Sequence, residues 1–243
     1  MFQIVIDLWG SLVMLLRLIL NGFHSVTHSY GLSIVLLTLA VRIALLPLSI
    51  KQTKSLWDGQ KLQPKIKELK EKHKKDQERM SKEIMKLYSE HKVNPLGGCL
   101  PMLLQMPILI AIFRILLNGG KVAEESFLGI SNLSKSARDF LSAGAFLKNP
   151  LTALPYFILV GLSAYTTYLP QKMISTDKQA KNMQFFMNIL ILVISISFPA
   201  GVLIYWTTTN IFTIAQQYLT LKALDRPEKE RPKEKDDRKK RSS

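Results

Sequence analysis

Long apolar runs alternate with two strongly basic blocks along this 243-residue chain, and one water-soluble core cannot accommodate that pattern. The runs are residues 32–50, 99–117, 151–169, 185–198 and 200–221, the fourth being short for a span. Helix breakers separate them. Pro47 and Lys51-Gln52-Thr53-Lys54 close the first, and Asn94-Pro95-Leu96-Gly97-Gly98 and Asn118-Gly119-Gly120 flank the second. Pro150 and Pro170 bound the third, and Pro199-Ala200-Gly201 hinges the last two. A mean hydropathy of only +0.12 averages these greasy segments with the polar ones between them.

The net charge of +15 is informative through its distribution. Of 33 Lys and Arg, 13 lie between Lys51 and Lys92 and 10 between Lys222 and Arg241, and the same two blocks hold 13 of the 18 acids. A nucleic-acid arm is seldom so diluted with acid, whereas basic segments flanking spans mark the cytosolic side. Parity then places residues 118–150 outside, 170–184 inside and the tail inside. The outer loop, with four basic and three acidic residues, is close to neutral, as this requires.

The expected fold is all-α: a polytopic membrane protein with a five-helix transmembrane core. In residues 1–29, Gln3, Asp7, Gly10, Met14, Arg17, Asn21, His24 and His28 recur every three or four positions on an otherwise apolar segment, a stripe that suits an interfacial helix or a span facing a bundle, of which the interfacial helix is favoured. Asp7 and the lack of a basic leader argue against a cleavable signal. Spans follow at 30–51, 97–118, 151–169, 185–198 and 200–221, with an external loop at 119–150 and a cytosolic loop at 170–184. Residues 52–93 read as a cytosolic hairpin: Leu62, Ile66, Leu69 and His73, then Met80, Ile84, Leu87 and His91, repeat at coiled-coil spacing on either side of a turn, with Asp76 as N-cap. Residues 222–243 form a basic tail, disordered from Arg226 because they cannot bury a core.

Arg42 is the first functional candidate. It sits in mid-span, where an arginine costs roughly 2.5–3.5 kcal/mol on insertion scales and therefore faces protein or a wet cavity. Thr38 lies one turn away on the same face. Gln105, between Pro101 and Pro107, occupies a helix whose freed carbonyls need protein or water. In the last span Tyr205, Trp206, Thr207, Thr208, Thr209 and Asn210 form a polar and aromatic run followed by Gln216 and Gln217. An intramembrane polar groove accounts for these residues together. Arg114 lies near a helix end, snorkels and carries no assigned role. A single cysteine, Cys99, excludes an internal disulfide, and the four histidines do not gather at metal-ligand spacing. No phosphate-binding loop or nucleophile–base arrangement is present, so no catalytic apparatus, metal or other cofactor is expected.

Arg42, the stretch Asn94-Pro95-Leu96-Gly97-Gly98-Cys99-Leu100-Pro101 with Gln105-Met106-Pro107, and Phe198-Pro199-Ala200-Gly201 followed by Tyr205-Trp206, Asn210 and Gln216-Gln217 are ordered around a basic hairpin. In this the chain resembles the insertase core of the YidC/Oxa/Alb family from about Gln3 to Leu224. The resemblance implies a groove open to cytosol and lipid but closed outside, in a bacterial inner membrane, with the N-terminus outside and the C-terminus cytosolic. It also implies that Arg42, Thr38, Gln105, Trp206 and Asn210 contact or surround an incoming substrate. Implied partners are nascent membrane proteins and lipids, with ribosome and Sec translocon as further candidates. Neither a small-molecule substrate nor a second subunit is expected. The extra N-terminal span and periplasmic domain of family members from double-membraned bacteria, and the lipoprotein cysteine of many others, are not in these residues. An ion-coupled transporter or channel using Arg42 as an anion or gating site is the alternative, and a chaperone that inserts nothing is a third possibility.

Overall fold

The computed structural model describes residues 2–74, 76–91, 93, 100–117, 121–142, 149–174 and 178–225. Asn94 to Cys99 and the tail beyond Asp225 lie outside the described residues. The chain is all-helical, the described residues holding no β-structure beyond an isolated bridge between Phe127 and Ile130.

Helix α1 (Phe2–Thr27) buries one stripe, with Leu16 and Leu20 in the core and Trp9, Leu12, Val13, Ile19 and Phe23 packed against it. Asp7, Gly10, Met14, Arg17 and Asn21 of the polar stripe are exposed. His28, at a positive φ of 51°, reverses the chain, and the Ser29 side chain then caps α2 (Tyr30–Ala44). Helix α1 lies against α2 and α6 (Leu100–Leu117). Its stretch Trp9–Thr27 is long and apolar enough to cross a bilayer, although residues 1–29 read as interfacial in the sequence.

Residues 30–51 do not form the single straight span expected. The chain bends by 65° between α2 and α3 (Leu46–Lys61), and α3 extends ten residues into the segment assigned to the hairpin. Pro47 sets this break: it lacks an N–H, sits in the first turn of α3, and disfavours helical geometry immediately before it. The hairpin itself is α4 (Gln63–Lys72) and α5 (Gln77–Glu90). Asp76 accepts from the Arg79 N–H at 2.9 Å and caps α5. The groove between the two helices is lined by Lys65, Glu68, Leu69 and Lys72 of α4 and by Glu83, Lys86, Leu87 and Glu90 of α5. Helix α5 buries no residue.

Two short helices, α7 (Lys121–Glu124) and α8 (Ala137–Ser142), precede α9 (Pro150–Ile174), α10 (Lys178–Ser195) and α11 (Ala200–Leu224). Helix α9 runs through Pro170 instead of ending there, and α10 begins seven residues before the expected 185. At 1.5 Å per residue α9 and α11 are each roughly 37 Å long, enough to cross hydrocarbon. Both carry so many Ser, Thr and Gln that their mean hydropathy stays below that of ordinary spans.

Helix α11 is central, touching α9, α2, α3 and α6. At its start the fold closes tightly. Gly201 lies so near Leu116 and Ile34 that an added Cβ would fall 2.8 Å from a Leu116 methyl. The loop before α8 delivers the carbonyls of Lys135 and Leu133 to the Ala200 and Gly201 N–H groups, both at 2.9 Å, satisfying donors that a helix start otherwise leaves open. Leu133 is completely buried beneath this loop, and the Tyr156 hydroxyl donates to the Asn132 carbonyl and accepts from its N–H.

Candidate functional site

The bend of α2 into α3 and the central position of α11 bring three of the sequence candidates together. The Gln105 amide of α6 donates to the Tyr205 hydroxyl of α11. The half-buried Arg42 guanidinium of α2 lies close enough to the same phenol to interact with it electrostatically. Among the described residues Arg42 has no carboxylate partner. Thr38, one turn away, is completely buried, and its hydroxyl donates to the Ile34 carbonyl at 2.6 Å within its own helix.

Trp206 and Asn210 belong to another face. Successive helix positions diverge by about 100°, so Tyr205 and Trp206 point apart while Trp206 and Asn210 share a side. Both donate to the Thr167 hydroxyl of α9, at 2.9 and 2.8 Å, and Thr167 passes its own proton to the Ser163 carbonyl at 2.7 Å. Asn210 also reaches Thr166 at 3.4 Å. The apolar character of residues 151–169 hid these partners, although Ser163, Thr166 and Thr167 fall at i, i+3 and i+4, the spacing of one helical face.

Polar side chains continue toward the hairpin. Gln216 donates to Thr53 of α3 at 3.1 Å, and Gln52 and Gln217 are buried beside them. The amide nitrogen of Gln52, the amide oxygen of Gln217 and the Thr207 hydroxyl are buried with no hydrogen-bond partner. From Tyr205 to Gln217 this polar track covers roughly 18 Å of α11. An unpaired amide in an apolar setting costs about 1–3 kcal/mol, a cost that a bridging water would relieve. Among the described residues the track is rich in donors and holds no carboxylate. Among the described residues no cluster of His, Cys, Asp or Glu could hold a metal ion.

The profile of a family described as 60Kd inner membrane protein matches residues 22–228. A Fusobacterium nucleatum protein named membrane protein insertase YidC is 36% identical over 217 residues, spanning 88% of this chain and 97% of its own length. A protein of the same name from Caldanaerobacter subterraneus is 37% identical over 213 residues, spanning 88% of this chain and 95% of its own. A third, from Magnetococcus marinus, is 37% identical over 85% of this chain but only 35% of its own length, so the chain corresponds to about a third of that protein. A crystal structure of an active YidC insertase with its first transmembrane domain resolved matches with a TM-score of 0.64 at 27% identity, over 87% of this chain and 46% of that one.

Proposed function

The chain belongs to the 60Kd inner membrane protein family together with the YidC membrane protein insertases, and on that basis we propose that it inserts membrane proteins by admitting their polar tails to the track along α11. The observation that carries this reading is the Arg42, Gln105 and Tyr205 cluster, with its cation free of any carboxylate partner among the described residues.

A polar tail crossing hydrocarbon loses hydrogen bonds to water at several kcal/mol for each unpaired group, and that loss is the barrier an insertase lowers. A hydrated track through part of the bilayer shortens the dry path. Arg42 attracts acidic or carbonyl-rich segments of the tail, with Gln105 and Tyr205 holding its neighbourhood polar. Trp206 and Asn210, tied to Thr167, and the buried Thr38 set the walls. The substrate's apolar segment leaves sideways into lipid. The membrane potential contributes about 2.3 kcal/mol per charge per 100 mV and favours outward movement of an acidic tail. The mechanism needs no covalent step and no cofactor.

Basic residues on the hairpin and tail orient the chain with both in the cytosol, the start of α11 outside, and α1 along the outer interface. The hairpin receives nascent chains, and the tail meets ribosome, Sec translocon or anionic lipid. The transporter alternative finds no support among the relatives. Reconstitution of the purified chain in liposomes, scoring protease protection of a single-span substrate, tests the proposal. Arg42→Ala is expected to reduce insertion of an acidic-tailed substrate about tenfold, the worth of one charge-assisted contact, and that of a neutral-tailed one less. Equal and undiminished insertion of both would remove Arg42 from the mechanism.

A further inference from the structure

Away from the α11 track, a cleft of about 280 Å³ opens between α1 and α6, lined by Trp9, Gly10, Val13, Met14, Arg17 and Arg114. Two guanidiniums share it. Neither has a carboxylate partner among the described residues, and Asp7, the one acid of α1, precedes Arg17 by roughly 15 Å of helix. The Arg114 guanidinium stands 5.9 Å from the centre of the Trp9 ring. Above Gly10 the space is open, since a Cβ there would meet nothing within 4 Å. Beside the cleft, Met14 and Leu18 are 75% and 68% exposed, an apolar strip continuous with the charged pocket.

We propose that this cleft binds an anionic phospholipid, its phosphate between Arg17 and Arg114 and an acyl chain along Met14 and Leu18. Arginine offers paired N–H groups that match two phosphate oxygens, and such charge-assisted bonds are about twice as strong as neutral ones. The Trp9 ring, its centre 5.9 Å from one guanidinium, supplies the amphipathic surface that aromatic residues present at headgroup depth. Two cations without a local counterion favour a lipid with net negative charge over a zwitterionic one, whose own ammonium would compete. An open space at Gly10 leaves room for the headgroup where a larger side chain would fill it. The inference rests on the membrane placement given above but not on insertion itself.

The test is native mass spectrometry of the full-length protein purified from liposomes of mixed phosphatidylglycerol and phosphatidylcholine. The wild type is expected to retain phosphatidylglycerol selectively, and Arg17→Gln with Arg114→Gln to lose about tenfold of that retention. Millimolar inorganic phosphate should not displace the lipid; displacement would mark a free-anion site and overturn the proposal. Gly10→Leu keeps both cations and raises helix propensity by about 1 kcal/mol, so it separates blockage of the cleft from misfolding; it too should lose the lipid. Undiminished retention by Gly10→Leu, or equal retention of both lipids by the wild type, refutes the site. Lipid retention by a protein that inserts no substrate would leave this site standing while removing the proposed activity.

Discussion

The two ends of α11 are built on opposite terms. At its start, loop carbonyls answer the helix's first N–H groups, Tyr156 ties down Asn132, and Leu133, Ala137 and Val202 are buried to within 1%. Toward its end, Gln52 and Gln217 are buried with polar atoms unanswered, and helix α5 of the hairpin buries nothing. Satisfied polar groups and dense packing make a seal; orphaned ones make a place where water or another chain is wanted. The contrast separates a satisfied end from an unsatisfied one on the same helix.

The largest blow to the sealed end should come from Gly31→Ala. Its Cβ would overlap the Phe127 ring and displace the tight turn at Leu128 and Gly129, both at positive φ. A stability loss of about 2–3 kcal/mol is expected, read as a lowered melting temperature in detergent. Tyr156→Phe comes next. It strands the Asn132 carbonyl and N–H and should cost roughly 1–2 kcal/mol in the same measurement. Gln217→Leu should act with the opposite sign at the other end: removing an unpaired buried acceptor is expected to raise stability by about 1 kcal/mol while lowering insertion. A destabilised Gln217→Leu would show that the amide is satisfied in the membrane. Smallest of all, Met85→Gln on the exposed face of α5 should change stability by less than about 0.5 kcal/mol.

Where the sequence carried a strong local signal, it led to the structure. The Asp76 cap, the hinge at Pro199 and the all-helical class follow from chemistry that acts within a few residues. Pro47 was visible too, but a proline ending one helix and a proline opening the next leave the same trace, so the 65° bend was hidden. The site divides in the same way. Arg42, Gln105 and Tyr205 stand out as polar residues in apolar runs, yet the divergence of Tyr205 from Trp206 depends on which helices flank α11. Glu125 left no signal at all. It takes the Tyr30 N–H with both carboxylate oxygens at 2.8 and 2.9 Å and faces His24 at 3.6 Å, a partnership across 95 positions that no local rule anticipates.

The carbonyls of Leu133 and Lys135 await N–H groups that lie more than sixty positions later, at Gly201 and Ala200. During synthesis they emerge with nothing to bind, and only the final helix supplies their partners. Closure at the start of α11 is therefore a late event in the protein's own biogenesis. Until α11 arrives, a partly made copy lacks both ends of that helix, and a chain truncated before residue 200 is expected to leave the loop at Leu133 and Lys135 without its partners instead of forming a smaller version of the same fold.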